Sequence, residues 1–170
     1  MLVDVDEMLL NELISRVLVI TMTIYVDADA CPVKDEVYKV AARYGVRVIV
    51  VANSAMRVPA NPLVEQVVRT GFGAADDYIA EVVGPKDIVV TADIPLAGRS
   101  LASGGRVIDP RGRTITDNEI GHLLGMRDLN EHLRQSGEKA GGPPPMTAKD
   151  RSRFLSKLDE MINAIRRLTD

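Results

Sequence analysis

The sequence contains no tryptophan, one cysteine, two phenylalanines, four tyrosines and two histidines. Each scarcity excludes something. A single cysteine cannot close a disulfide within the chain, and such usage suits a reducing compartment. So few aromatic rings leave little surface on which bases could stack. The histidines, His122 and His132, have no carboxylate or cysteine partner at ligand spacing and read as surface or helix-packing residues. Long apolar runs are missing too, so no membrane span is expected. Nor is there an excess of basic charge: the formal net charge is -3, and any nucleic-acid partner would have to be met by a local patch. Asp4, Asp6 and Glu7 stand where a signal peptide would carry positive charge. The expected location is the cytoplasm.

What is present fits one ordinary domain. The chain has 170 residues, 46% apolar and 26% charged. Residues 1–21 read as an N-terminal extension. Leu10, Leu13, Ile14 and Val17 have helical spacing, yet they precede a complete strand–helix unit that begins beside Met22. Two readings stay open: a short amphipathic helix packed on the domain, or translation that begins at Met22. Residues 22–170 are expected to form a single domain.

Within that domain strands and helices alternate. Thr23 to Val26 predicts a strand, and Pro32 a helix opening at its first position and ending at Gly45. Val46 to Val51 is a near-continuous apolar run, as in a strand buried on both faces. Asn53 to Asn61 is a polar loop. Leu63 to Arg69 suits a strand through Val64, Val67 and Val68, although Asn61-Pro62 resembles a helix start. A helix follows from Ala74 to Val83, then a central strand Asp87 to Thr91, a helix Pro95 to Ser103, a short strand Arg106 to Ile108, and the turn Asp109 to Gly112. Asp117 is expected to cap a long helix with Ile120, Leu123, Leu124 and Leu133 inward, ending at Gly137. Gly141 to Pro145 forms a stiff connection. Thr147 and Asp150 have capping-box spacing before a last helix with Phe154, Leu155, Leu158, Met161, Ile162 and Ile165 on one face. Such alternation implies right-handed crossovers and a mainly parallel sheet.

The chemistry sits in aspartates. Tyr25-Val26-Asp27-Ala28-Asp29 places two carboxylates where a strand ends, on the edge of a parallel sheet that faces ligands. Val89-Val90-Thr91-Ala92-Asp93 does the same for a second strand, and Ala74-Ala75-Asp76-Asp77 puts two more at a helix start. Five carboxylates converging on one edge would repel, and hard divalent cations with oxygen ligands relieve that cost. Mg²⁺ or Mn²⁺ held by few carboxylates, with water in open positions, suits phosphodiester hydrolysis. The plainer account is capping: Asp76, Asp77 and Asp93 could each satisfy a helix terminus. Asp27 is harder to dismiss, because it follows a buried strand and is not the immediate cap of the next helix.

Nearly the whole chain, from Met22 to about Leu168, resembles the YaiI/YqxD family of bacterial proteins. The stretches that carry the likeness are IYVDADACPVKDEVYKVA, VVANS, AADDYIAE, DIVVTADIPLA, IDPRG, and GGPPP with DRSRF. That family is considered PIN-like. The pattern from Asp76 to Ile79, followed by a strand ending in Thr91-x-Asp93, is similar to the PIN nuclease signature. The resemblance implies an α/β, PIN-like three-layer fold with a mainly parallel central sheet and a helical C-terminal extension. It also implies Asp27, Asp76 and Asp93 as catalytic metal-site acids, with Asp29 and Asp77 as further metal ligands. PIN nucleases place another acid on an intervening helix; here Asp35 and Glu36 qualify by position only.

Basic residues supply weaker signals. Lys34, one turn from the acids, and Arg57, Arg99 and Arg111, after strands or at helix ends, are candidate phosphate contacts. Arg127 belongs with them by position, and Lys149, Arg151 and Arg153 could form a second patch or pair with Asp150, Asp159 and Glu160. Ordinary surface charge is the plainer account of any single one of them. Cys31 lacks the arginine six residues on that a cysteine phosphatase needs, since position 37 is valine. It reads as a packed structural residue.

The leading functional expectation is therefore a metal-dependent nuclease using Mg²⁺ or Mn²⁺ and acting on RNA or another single-stranded nucleic acid. A homo-oligomer is compatible with the sequence and not required by it. One rival is a nonenzymatic PIN-like module that binds nucleic acid or protein. Another is a haloacid dehalogenase-type phosphatase, for which Asp27-Ala28-Asp29 would supply the nucleophile. That chemistry also needs a later acidic pair, and Asp87 and Asp93 are separated by five residues rather than three.

Overall fold

The computed structural model describes residues 7–10, 22–138 and 142–169. The expectations for the N-terminal extension thus lie almost wholly outside the described residues, apart from a helical, exposed stretch at 7–10.

The sheet follows from runs of β-branched residues. The strands are β1 (Thr23–Asp27), β2 (Arg47–Ala52), β3 (Val64–Val68), β4 (Ile88–Val90), β5 (Arg106–Ile108) and β6 (Thr114–Ile115). They form one sheet in the order β3-β2-β1-β4-β5-β6. All neighbours pair parallel except β5 and β6, which pair antiparallel. The central strands β1, β2 and β4 are apolar on both faces, because helices cover both faces of a parallel sheet. β3 lies at one edge and correspondingly carries Glu65 and Gln66.

The helices are α1 (Lys34–Tyr44), α2 (Ala74–Val82), α3 (Ile94–Ala102), α4 (Asp117–Gln135) and α5 (Ala148–Arg167). Two separate cores define the layers. On one face Val37, Val40 and Ala41 of α1 and Phe154, Leu158, Ile162 and Ile165 of α5 pack against Ile24, Val26, Val48, Val50 and Val90. On the other, Ala75 and Ile79 of α2 and Leu96 and Ala97 of α3 pack against Tyr25, Ile49, Val51, Val89 and Val107. The result is a three-layer α/β fold with a helical C-terminal segment. Each fully buried Leu, Ile or Phe contributes about 1.5–3 kcal/mol relative to exposure. The exposed pair Arg43–Asp159 at 3.0 Å adds at most about 1 kcal/mol to the α1–α5 contact.

Several boundaries differ from the sequence reading for local reasons. Pro32 does not open α1: a 3-10 turn at Ala28–Ala30 and a turn at Pro32-Val33 come first, and the helix starts at Lys34. The cap of α4 is Thr116 rather than Asp117; its N–H and hydroxyl both donate to Glu119 Oε2, at 3.4 and 3.3 Å. Ile120 and Leu123 pack against the core and Leu124 against Gly98, but these and Leu133 are only half-buried, since α4 packs mainly on α3. Gly98 permits that packing, because a Cβ there would stand 3.3 Å from Ile120 Cγ1. The expected capping box of α5 is present: Asp150 N donates to Thr147 Oγ1 and Thr147 N to Asp150 Oδ2, both at 3.1 Å. No helix among the described residues is long and apolar enough to cross a membrane.

Candidate active site

The strand order sets the place. From β1 the chain crosses through α1 to β2 on one side, and from β4 through α3 to β5 on the other. The carboxyl ends of β1 and β4 therefore splay around a crevice, the usual ligand position in open α/β sheets. Asp27 is the last residue of β1, and Asp93 follows β4 by three residues. A cavity of about 380 Å³ opens there, lined by Asp27, Asp29, Asn53, Gly73, Ala75, Asp76, Ala92 and Asp93.

Thr91 ties the two strands together. Its hydroxyl donates to Asp27 Oδ2 at 2.8 Å and accepts from the Asp93 N–H at 3.0 Å. Its backbone N–H donates to Ile108 O of β5 at 3.1 Å, and the residue is almost wholly buried. The hydroxyl therefore cannot swing away to solvent, and it fixes both acids. Asp93 also caps α3, with Oδ1 accepting from the Leu96 N–H at 2.8 Å. Capping and cavity lining are thus both true of this residue. Asp29, on the 3-10 turn, is held across the crevice by Asn53, whose Nδ2 donates to Oδ2 at 2.7 Å and whose N–H donates to Oδ1 at 3.4 Å.

The charges pay an electrostatic penalty. Asp76 is pushed up to about 6, first by burial, then by the nearby charges of Asp27 and Asp93, with Arg99 opposing. Asp27 is raised as well, by burial first and by Asp93 and Asp29, while the Thr91 hydrogen bond lowers it. Asp76 does not cap its helix; the N-cap of α2 is Gly73, with no side-chain cap bond. Its carboxylate has no capping role to account for its place in the cavity.

The family model described as "Uncharacterized BCR, YaiI/YqxD family" matches residues 25–164. The chain belongs to the YaiI/YqxD family. A UPF0178 protein of Bradyrhizobium sp. is 54% identical over 147 residues, covering 86% of this chain and 90% of that one. Similar proteins of the same designation come from Nitrobacter winogradskyi, 54% identical over 145 residues (85% and 92% covered), and Caulobacter vibrioides, 54% identical over 141 residues (82% and 92%). No solved structure matches.

In this YaiI/YqxD chain four of the five sequence-predicted acids share the cavity: Asp27, Asp29, Asp76 and Asp93. Asp77 is not among its lining residues. It points outward and pairs with Arg99 at 2.7 Å, so these two candidates engage each other, both exposed. Lys34 Nζ donates to the carbonyls of Ala28 and Cys31 at 3.1 and 2.7 Å, stapling the turn that carries Asp29. Arg111 pairs with Asp150 at 2.8 Å and also donates to the Pro144 carbonyl. Arg57 is exposed on the loop after β2. Glu36 pairs with Arg151 at 3.1 Å, and neither Glu36 nor Asp35 lines the cavity. Cys31 is buried in the core, and burial pushes its thiol up.

Sequence reasoning assigned no role to Thr91 or Asn53. A signal existed for Asn53: it follows the end of β2 as Asp27 ends β1 and Asp93 follows β4. Thr91 was visible only as the first letter of the Thr-x-Asp pattern.

Proposed function

We propose that this protein is a metal-dependent nuclease that hydrolyses phosphodiester bonds, with RNA as its substrate. The observation that carries the reading is the convergence of Asp27, Asp29, Asp76 and Asp93 on one cavity at the switch point of the sheet. Burial first, and then the charges of neighbouring aspartates, raise Asp27 and Asp76, a cost that a bound cation would relieve. The likeness of the Asp76–Ile79 and Thr91-x-Asp93 patterns to the PIN nuclease signature points the same way.

The donor set suits Mg²⁺ or Mn²⁺: four carboxylates and the Asn53 amide, with no thiolate or imidazole among the lining residues. Among the described residues no group of three or more His, Cys, Asp and Glu side chains is set to hold a metal ion as it stands. Mg²⁺ does not require one, since it is commonly held by one or two carboxylates and otherwise by water and substrate phosphate. Asp27 and Asp93, fixed by the same hydroxyl, are the residues that would hold it, with Asp76 and Asp29 adding negative charge. A bound ion would supply a more acidic water and positive charge opposite the phosphate. The chain's own share is orientation. Thr91 holds Asp27, the α3 N-terminus holds Asp93, and Asn53 holds Asp29.

A second reading, a nonenzymatic binding module, draws on the same lack of a ready three-carboxylate group. The phosphatase reading loses its acidic pair. Asp87 precedes β4 and accepts from the N–H groups of Thr23 and Gly84 at 3.0 and 2.8 Å, at the opposite end of the strand from Asp93.

Cleavage of labelled RNA by wild type and Asp27→Asn, with Mn²⁺, Mg²⁺ or chelator, separates these readings. The nuclease reading expects metal-dependent cleavage that falls at least about a hundredfold in the variant while the fold is retained, because Asn keeps the shape and loses the charge. RNA binding without cleavage in either metal would leave the binding module. Cleavage by Asp27→Asn at the wild-type rate would remove this residue from the chemistry.

A further inference from the structure

The chain has two phenylalanines, and they are at opposite extremes. Phe154 is wholly buried, whereas Phe72 has a relative exposure of 109%, so its ring rests on nothing. A single exposed apolar side chain is ordinary on a protein surface. The position of this one is not. Phe72 lies in the loop between β3 and α2, and the next residue, Gly73, lines the acidic cavity. The Cα of Phe72 is thus one residue, ~3.8 Å, from the Cα of a residue that lines the cavity. Gly71 and Gly73 on either side of Phe72 have φ of 112° and 69°, values open to glycine.

Cationic groups lie on the same side of the fold. Arg69, directly after β3, is exposed, with its guanidinium 4.6 Å from the centre of the Tyr78 ring on α2. Arg57 is exposed on the loop that β3 anchors through Gln66, whose side chain bonds both the N–H and the carbonyl of Met56. An exposed ring and arginines on the same sheet edge could grip a base and its phosphates, beside a carboxylate cavity that a bound cation would make attractive to phosphate.

We infer that Phe72 is a positioning residue that stacks on a base of single-stranded nucleic acid and sets the adjoining phosphodiester over the acidic cavity. The inference rests on the phosphodiester reading of that cavity and adds the residue that would hold an unpaired strand against it. In a duplex each base face is already covered by its neighbours; only an unpaired strand can offer one to an aromatic ring.

The absence of tryptophan makes the test direct, because Phe72→Trp would carry the chain's one indole emitter. Emission of that variant is followed on adding single-stranded RNA, single-stranded DNA of the same sequence, and the duplex form of each, with binding measured in parallel by anisotropy of labelled strands. The expected result is quenching by single strands and none by duplex. Phe72→Ala should weaken binding roughly 5- to 150-fold, with the loss appearing in KM rather than kcat, and Phe72→Tyr should restore it. Unchanged emission while single strands bind, or wild-type affinity in Phe72→Ala, would overturn the stacking role and leave the cavity reading in place. Quenching by RNA in a protein that cleaves nothing would support stacking while removing the nuclease. A wild type that binds no single strand overturns both.

Discussion

Asp76 is the residue on which the cavity's electrostatics are easiest to read. Its pKa in the folded chain is about 6, against an ordinary value of 3.8. Between those values the folded state binds more protons than the unfolded chain, so this residue's contribution to stability falls as pH rises from about 4 to about 6 and stays low above. Full linkage would amount to about 3 kcal/mol; for a carboxylate this open to solvent, screening reduces it to about 1 kcal/mol. Asp76→Asn removes the titration. In chelator, the variant should match wild type near pH 4 and exceed it by about 1 kcal/mol near pH 7. Urea unfolding at the two pH values measures this. A variant that gains nothing between them would mean that Asp76 ionises freely and that its carboxylate does not face Asp27 and Asp93.

At the scale of elements, the β5–β6 turn shows how a short connection becomes part of the core. Asp109 Oδ1 accepts from the N–H groups of Arg111 and Arg113, both at 2.9 Å, closing a tight turn. Gly112 within it has φ 84°, and a Cβ there would stand 2.7 Å from Arg153 C and Phe154 N of α5. Both the backbone conformation and the close approach to a helix backbone require glycine. Gly112→Ala should cost about 2–4 kcal/mol, since neither the turn nor α5 can yield, and a chemical denaturation midpoint compared with wild type reads it. A shift smaller than about 0.5 kcal/mol would show that α5 adjusts on the sheet. The sequence marked this turn through Asp109-Pro110-Arg111-Gly112 and marked most strands and helices through periodicity. It did not mark β6: Thr114–Ile115 is two residues long, too short for alternation to register, and exists because the turn folds it back on β5. The start of α1 differs from its sequence expectation for a related reason. Proline suits a first helical position, but the 3-10 turn that carries Asp29 uses the preceding residues and delays the helix. Likewise Asp77 and Arg99 looked like two site residues. Their mutual pairing depends on how α2 packs on α3, which no local pattern encodes.

At the scale of the whole molecule, the site is a product of chain topology. Asp27, Asn53 and Asp93 lie at or just past the ends of three adjacent parallel strands, and Asp76 arrives from α2, the helix that follows β3. That much was legible, because a carboxylate just after a buried strand in an α/β pattern falls on the ligand edge wherever the strand sits in the sheet. On the proposed metal-dependent reading, metal binding and global stability are coupled. The apo fold carries the repulsion of several acids at one edge, so a divalent ion bound there stabilises the native state. At a free concentration of about a hundred times its dissociation constant, one bound ion adds about 2.7 kcal/mol. Mn²⁺ should therefore raise the melting temperature by several degrees relative to chelator. Asp93→Asn discriminates the causes. Asn can accept the Leu96 N–H as aspartate does, so the cap on α3 survives and the apo variant should be as stable as wild type or slightly more so. The same variant should lose most of the Mn²⁺ shift, because one of the charges fixed by Thr91 is gone. Thermal melts of both proteins, with chelator and with Mn²⁺, give the four values needed. An apo variant several degrees less stable than wild type would mean that the charge of Asp93 serves α3 alone. A Mn²⁺ shift equal in the two proteins would place the ion elsewhere and take Asp93 out of the site.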